Sequence, residues 1–227
     1  MKVAILTAMD SEFSQIAALL EDKKEVADIY NYLVGKIGDK EVVVTKCGIG
    51  KVNAAVGTTE VIRRFKPDAV ISTGCAGGID SSLNVMDIVV ADRTVHHDVY
   101  LGDDWGLEKG HIQGMPHYFN SDEALVKAAN KIQGPTIHTG LICTGDQFIT
   151  SEKELKQIKQ NFPQALAVDM ESVAISQACF IFGVPFISFR VISDTPGVDK
   201  HIQQYENFWQ MLADKSFDMV RQLVINI

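Results

Sequence analysis

Long apolar runs are missing from this sequence. No stretch reaches the ~18 apolar residues that mark a membrane-spanning helix. The first apolar run, in MKVAILTAMDSEF, meets Asp10 and Glu12 too early for a signal peptide and has no cleavage pattern. Cysteine is sparse: Cys47, Cys75, Cys143 and Cys179 form no CxxC pair and lie in apolar or glycine-rich surroundings. That usage fits reduced thiols in a cytoplasmic protein and argues against a disulfide framework. Positive charge is in the minority. With 21 Lys and Arg against 29 Asp and Glu, a net charge of −8 and a pI near 5.2, the chain lacks a nucleic-acid footprint. The same acidity disfavours anionic membrane surfaces, but leaves room for a small anionic ligand in a local basic pocket. Repeats, linkers and low-complexity segments are also absent, so residues 1–227 are expected to form one domain.

What is present is a 46% hydrophobic chain able to bury a sizeable core. Short apolar strands alternate with helical patterns. Val3–Leu6 is the first strand. Asp10 is a plausible N-cap for a helix with Phe13, Ile16, Ala17 and Leu20 on one face. Glu12 falls in that helix's first turn, where interaction with the helix dipole would explain it. An acid held at the top of strand one is the functional alternative. Tyr30–Val34 and Glu41–Thr45 read as a hairpin around Gly38-Asp39. A glycine-rich turn, Lys46–Lys51, then leads into a helix from about Val52 to Phe65. Backbone N–H groups in such a turn can face an anion. The spacing is neither a P-loop nor a full GxGxxG, because Asn53 takes the third glycine's place. Glycines needed only for a tight turn would serve equally.

Ala69–Thr73 is the next strand, ending in Gly74-Cys75-Ala76-Gly77-Gly78, a backbone bare enough for close approach by a ligand. Val85–Ala91 is another strand. From Asp92 to Asn120 the pattern dissolves into a histidine-containing stretch whose spacing matches no standard metal-ligand set. A lid or an oligomer contact suits so long an irregular segment better. Ser121–Ile132 is an amphipathic helix capped by Ser121. Ile137–Cys143 is a strand leading to Thr144–Ile149, and Ser151–Asn161 is a charged surface helix. Phe148 could be core or a platform for a flat ring. The last helix, about Tyr205–Ile225, turns Phe208, Leu212, Phe217, Val220 and Val224 inward.

The remaining stretch organises the rest. Leu166–Val168 is an apolar strand ending in Asp169-Met170-Glu171. A helix follows and is stopped at Gly183-Val184-Pro185. A second buried strand, Phe186–Ile192, carries Arg190 and exits at Ser193-Asp194. Glu171 and Asp194 therefore lie just past the carboxyl ends of two strands, the edge where open α/β sheets bind ligands.

Taken in order, TAMDSE, KCGIGKVNAA, STGCAGGI, TGDQFI, AVDMES and RVISD resemble the nucleoside phosphorylase/nucleosidase superfamily. Within it they are most similar to the 5′-methylthioadenosine/S-adenosylhomocysteine nucleosidases. The match runs from Val3 to the last helix. The resemblance implies an α/β fold, a three-layer α/β/α sandwich with a mixed central sheet. It also implies a homodimer in which residues 98–105 cover the neighbour's pocket, and a place in methionine salvage with no cofactor or metal. Carried over by motif, Glu12 would activate water, Arg190 would help place it, and Asp194 would protonate N7 of the departing adenine. Glu171 would hold the ribose 2′- and 3′-hydroxyls, with Met170 beside the sugar. Phe148 would stack on adenine and the Ile149 backbone would read its N6/N1 edge. Ala76 and Gly77 would border base and sugar. Met9 and Phe208 would line the 5′-alkylthio pocket. Ala8, Ile49, Cys75, Asp169 and Ser193 complete the expected binding set. Two positions depart from the family pattern: Cys75 replaces the usual Ser and Asp169 the usual Glu. A thiol is the weaker hydrogen-bond donor.

Breaking an N-glycosidic bond passes through an oxocarbenium-like transition state. An ordinary Asp, with a pKa near ~3.9, holds almost no proton at neutral pH, so Asp194 would need an environment that favours its acid form, while Glu12 must accept a proton. The phosphorylase branch begins the segment equivalent to Ser72–Gly78 with Arg, and here Ser72 stands there. A carboxylate at the nucleophile's place should repel phosphate and favour water. A hydrolase of another purine nucleoside (futalosine-type), a phosphorylase, and a nucleoside-binding module without turnover remain the alternatives.

Overall fold

Strand alternation builds the layers. In β1 (Lys2–Thr7), Val3 and Ile5 enter one apolar cluster while Ala4 and Leu6 enter another, and all four are fully buried. A strand apolar on both faces must be covered on both. The computed structural model describes residues 1–195, 208 and 218–227. After β1 the chain forms α1 (Asp10–Ala18), β2 (Glu21–Ala27), β3 (Asn31–Ile37), β4 (Lys40–Lys46), α2 (Lys51–Phe65), β5 (Ala69–Gly78) and β6 (Ile88–His96). There follow β7 (Phe119–Asn120), α3 (Glu123–Ala129), β8 (Ile137–Thr144), α4 (Glu152–Asn161), β9 (Ala165–Asp169), α5 (Ser172–Phe182), β10 (Phe186–Asp194) and α6 (Asp218–Asn226).

The strands form one mixed ten-stranded sheet in the order β10-β6-β8-β9-β5-β1-β4-β3-β2, with β7 on β6. Ile16 of α1, Leu125, Ala128 and Ala129 of α3, and Val220, Leu223 and Val224 of α6 cover one face. Ala54, Val61 and Ile62 of α2 with Ala174, Ile175 and Cys179 of α5 cover the other. This is the three-layer α/β/α architecture. Burying a Val, Leu or Ile side chain stabilises by ~1.5–3 kcal/mol, so each layer has ample reason to dock.

The sheet also closes on itself. β10 pairs with β6 and, in parallel, with β5, so β5, β10, β6, β8 and β9 make a ring. Its interior is lined by Ala76, Val89, Ala91, Ile142, Ala167 and Ile192, drawn from all five strands. Three of those six are alanines, and a ring this small has space for little more.

Several sequence boundaries move. The N-cap of α1 is Met9, with Asp10 already helical. The bare segment Gly74–Gly78 continues strand β5, whose end pairs antiparallel with β9. Val85–Asp87 precedes β6: Met86 donates its N–H to the Ile192 carbonyl and Asp87 accepts from Ile192 N–H, with Met86 at φ 77°. Asp122, with Ser121 just before it, caps α3. Strand β2 was not foreseen: EDKKEVA offers no apolar alternation, and the strand is an exposed edge. Charged side chains keep such an edge from pairing with other chains. Of the expected last helix, Leu212 and Phe217 lie outside the described residues. Phe208, Val220 and Val224 are fully buried.

Candidate active site

The carboxyl ends of β1, β5, β8, β9 and β10 surround one cavity of about 110 Å³. Ala8, Met9 and Glu12 come from the β1 exit and the start of α1, and Ile49 from the turn before α2. Cys75, Ala76 and Gly77 come from β5, and Gln147, Phe148 and Ile149 from the segment after β8. Val168, Asp169, Met170 and Glu171 follow from β9, then Ser193 and Asp194 from the end of β10. Four of these side chains are carboxylic acids, and none of the described lining residues is Lys, Arg or His.

Glu12 is 1% exposed and its carboxylate is fixed by backbone donors. Oε2 accepts from Ala8 N–H at 2.9 Å and Met9 N–H at 3.0 Å, and Oε1 accepts from Cys75 N–H at 3.1 Å. The sequence explains how: Glu12 sits at the third helical position and reaches back to the N-cap, as the acid of a capping box does. Gly74 completes the fit. A Cβ there would lie 2.4 Å from Glu12 Oε1 and 2.8 Å from Arg190 Nη1, so only glycine lets both groups converge beside this backbone.

Arg190 lies behind the cavity, 1% exposed, and is not among its described lining residues. Its Nε is 3.0 Å from Asp169 Oδ2, and its Nη2 donates to Ser72 Oγ at 2.8 Å and lies 3.8 Å from Glu171 Oε2. Burial works against its charge, yet Asp169, Glu171 and Glu12 outweigh this and hold the guanidinium pKa above its usual value. Asp169 is further bound by Thr144 Oγ1 at 2.5 Å and by the Ser172 hydroxyl. Asp169 thus acts as the counter-charge of Arg190.

Glu171 is 6% exposed and accepts one backbone donor, Gly50 N–H, at 3.0 Å. Burial raises its pKa to about 7; Arg190 pulls the other way and Asp169 adds to the rise. Asp194 lies beside Gly77, where a Cβ would come within 3.3 Å of its Oδ2. Its Oδ1 is 2.7 Å from the Ser193 hydroxyl, which is also 3.2 Å from the Ala76 carbonyl. Burial pushes the Cys75 thiol well up, with neighbouring Glu12 adding to the effect, so the sulfur stays protonated.

A family model described as the phosphorylase superfamily matches residues 2–225. A 5′-methylthioadenosine/S-adenosylhomocysteine nucleosidase from Haemophilus influenzae (strain PittEE) is 42% identical, with 99% of each chain covered. One from Geobacillus thermodenitrificans is 39% identical over 99% of this chain and 96% of its own. This chain belongs to the 5′-methylthioadenosine/S-adenosylhomocysteine nucleosidase family. Solved structures of that family agree in fold. The Neisseria meningitidis nucleosidase in complex with methylthio-immucillin-A superposes with a TM-score of 0.93 at 35% identity, covering 100% of this chain and 99% of that one. The Colwellia psychrerythraea nucleosidase in complex with adenine gives 0.93 at 37% identity, covering 100% and 95%.

Against the family expectation, the cavity brings together every expected site residue except two. Arg190 stands behind it, and Phe208 is fully buried in the core cluster that includes Phe189 and Ile71. Phe208 is not among the described walls of the cavity. Gln147 and Val168 line it and were missed; both adjoin residues that were named, and only their position in the fold singles them out. The histidines of the long segment are engaged with separate partners rather than gathered on one point. His96 Nε2 bonds Gln177, His97 packs on Gly145, and His111 stacks on His117. Among the described residues, no group of His, Cys, Asp and Glu is arranged to hold a metal ion.

Proposed function

We infer that this protein hydrolyses the N-glycosidic bond of 5′-methylthioadenosine and S-adenosylhomocysteine, releasing adenine and the 5-thioribose product. The observation that carries the reading is the charge of the cavity. Four acids border it, no cation is among its described walls, and Arg190 behind it is engaged by Asp169 and Ser72 with Glu171 nearby. Such a cavity repels phosphate and admits water, which separates hydrolysis from phosphorolysis.

In this reading Glu12 takes a proton from the attacking water. Its three backbone donors hold the carboxylate in place while leaving acceptor capacity for that water. Arg190, converging with Glu12 beside Gly74, supports the water's site from behind and keeps Asp169 and Glu171 in place. Glu171 receives the ribose hydroxyls. Asp194 gives a proton to N7 of the leaving adenine, relieving the charge that would build on the base. The Ser193 hydroxyl, between Asp194 and the Ala76 carbonyl, can orient that carboxyl in either protonation state. Phe148, 60% exposed at the mouth, offers a face for the purine.

The chain is proposed to work as one domain, in the cytoplasm, as a homodimer. Unpaired thiols at all four cysteines support the compartment. No helix among the described residues is long and apolar enough to cross a membrane. The described walls enclose about 110 Å³, below the ~300–1,000 Å³ of typical ligand sites. Segment 98–105 of a second copy would add wall area, and Tyr100, Leu101 and Trp105 in it are exposed apolar side chains suited to such a contact.

The test is adenine release from 5′-methylthioadenosine with and without phosphate. Equal rates are expected. Phosphate dependence would make the protein a phosphorylase, and binding without turnover would make it a binding module.

A further inference from the structure

Three charged side chains just outside the cavity form a closed circuit. Lys51 Nζ lies 2.6 Å from Asp98 Oδ1. Asp98 Oδ2 accepts from Asp146 N–H at 2.9 Å, and Asp146 Oδ1 accepts from Lys51 N–H at 2.7 Å. The Lys51 and Asp98 side chains are 18% and 19% exposed, so solvent screens the pair less than a surface pair. Burial raises the Asp98 carboxyl, but Lys51 and the Asp146 N–H outweigh it and leave the pKa below its usual value. None of the three residues borders the cavity.

What the circuit joins gives it meaning. Asp146 immediately precedes Gln147, Phe148 and Ile149, the base side of the cavity. Lys51 immediately follows Gly50, whose N–H holds Glu171. Consecutive amides at the start of α2 therefore grip two acids from different strand exits: Gly50 takes Glu171 and Lys51 takes Asp146. The fit leaves no slack. A Cβ on Gly50 would lie 3.0 Å from Asp146 Oδ1, and one on Gly145 would lie 2.4 Å from the His97 ring, next to Asp98.

Resting on the nucleosidase reading above, we propose that Lys51 and Asp98 are positioning residues that couple base binding to ribose binding, by locking the Asp146 segment to the peptide that holds Glu171. A base that settles on Phe148 then steadies Glu171 for the diol, and the diol steadies the base segment. By reciprocity each fragment should tighten the other.

The experiment titrates adenine into the full-length protein with and without saturating 5-methylthioribose. This is done for the wild type, Asp98→Asn and Lys51→Met, with folding checked by circular dichroism. Wild type should bind adenine about fivefold or more tightly in the presence of the sugar, the lower end of ordinary coupling. In both variants that enhancement should fall to near one, while affinity for adenine alone changes little. Lys51→Arg should restore part of it. The proposal is overturned if wild type shows no enhancement, or if a folded variant keeps it. It is equally overturned if adenine alone weakens as much as the pair. Should Lys51→Met not fold, Asp98→Asn, which keeps an acceptor for the Asp146 N–H, decides. Adenine release by the wild type, measured separately, tests the nucleosidase reading itself.

Discussion

Glu12 and Glu171 border the same cavity and are almost equally hidden from water, yet they are held in opposite ways. Glu12 accepts three backbone N–H groups from two strand exits. Glu171 accepts one, from Gly50, and its nearest described cation is 3.8 Å away. Burial therefore dominates at Glu171 and lifts its pKa to about 7. The contrast teaches that depth alone does not decide what a carboxyl can do. The donors around it do. Glu12 is built as a fixed acceptor and Glu171 as an acid that can change state near neutral pH.

Breaking the comparison at its stronger end should cost most. Glu12→Gln puts an amide where three N–H groups need an acceptor, and removes the base. Adenine release, followed by the absorbance change, should fall by ~10²–10⁴. A variant within a few-fold of wild type would remove Glu12 from the chemistry. Gly74→Ala leaves Glu12 in the sequence but forces its carboxylate, or Arg190, away from the occupied point. Displacement by about 1 Å can cost ~10²-fold in rate, and a kcat loss of that order with a folded protein is expected. An unaltered kcat would mean that the close approach at Gly74 is not needed.

The Glu171 side of the comparison is sharpened by pH. Ribose hydroxyls donate best to a carboxylate, so nucleoside binding should release a proton below pH ~7. Affinity measured by calorimetry should rise by up to tenfold per pH unit up to about 7 and then level off. Glu171→Gln should flatten the profile. Stability of the unliganded protein runs the other way. A carboxyl raised in the folded state favours folding while protonated. Its contribution is complete below the unfolded-state pKa near ~4.3 and is lost as pH rises through about 7. Melting temperatures that climb through this window in wild type but not in Glu171→Gln would contradict the assignment. The smallest effect is expected at Cys75→Ser. Cys75 supports Glu12 through its backbone N–H and its thiol, and a serine keeps the first and offers a hydroxyl in place of the second. Rates should stay within about fivefold, the size of one neutral hydrogen bond of ~1 kcal/mol.

Much of this was legible in the sequence because strand exits announce themselves. Apolar runs ending in Gly74–Gly78, Asp169–Glu171 and Ser193-Asp194 locate one sheet edge, and Cys75–Gly77, Asp169–Glu171, Ser193 and Asp194 do line the cavity. The motif order added roles that geometry alone would not name. Local patterns missed what depends on distant pairing. Strand β2 carries no apolar signal, since its pairing with β3 at the sheet edge creates it. Ring closure needs β10 to pair with β5 and β6 at once, and neither strand reveals its second neighbour. The family resemblance puts Arg190 beside the attacking water. The partners that hold it behind the cavity, Ser72 on one side and Asp169 with Ser172 on the other, come from two distant segments and meet only in the fold.

β5 bears on how the protein is made. Its first half lies between β1 and β10, and its end reaches β9, so one strand is shared by the open and closed parts of the sheet. During synthesis, Glu12 and Cys75 leave the ribosome more than a hundred residues before Arg190 and Asp194. Until β10 emerges, Val70–Gly77 has one side unmatched, and such late, distant pairing is slow and leaves a sticky intermediate. Catalytic competence is therefore among the last properties the newborn chain acquires, and a nascent chain stalled before residue 186 would hold half of the machinery beside an unfilled strand slot.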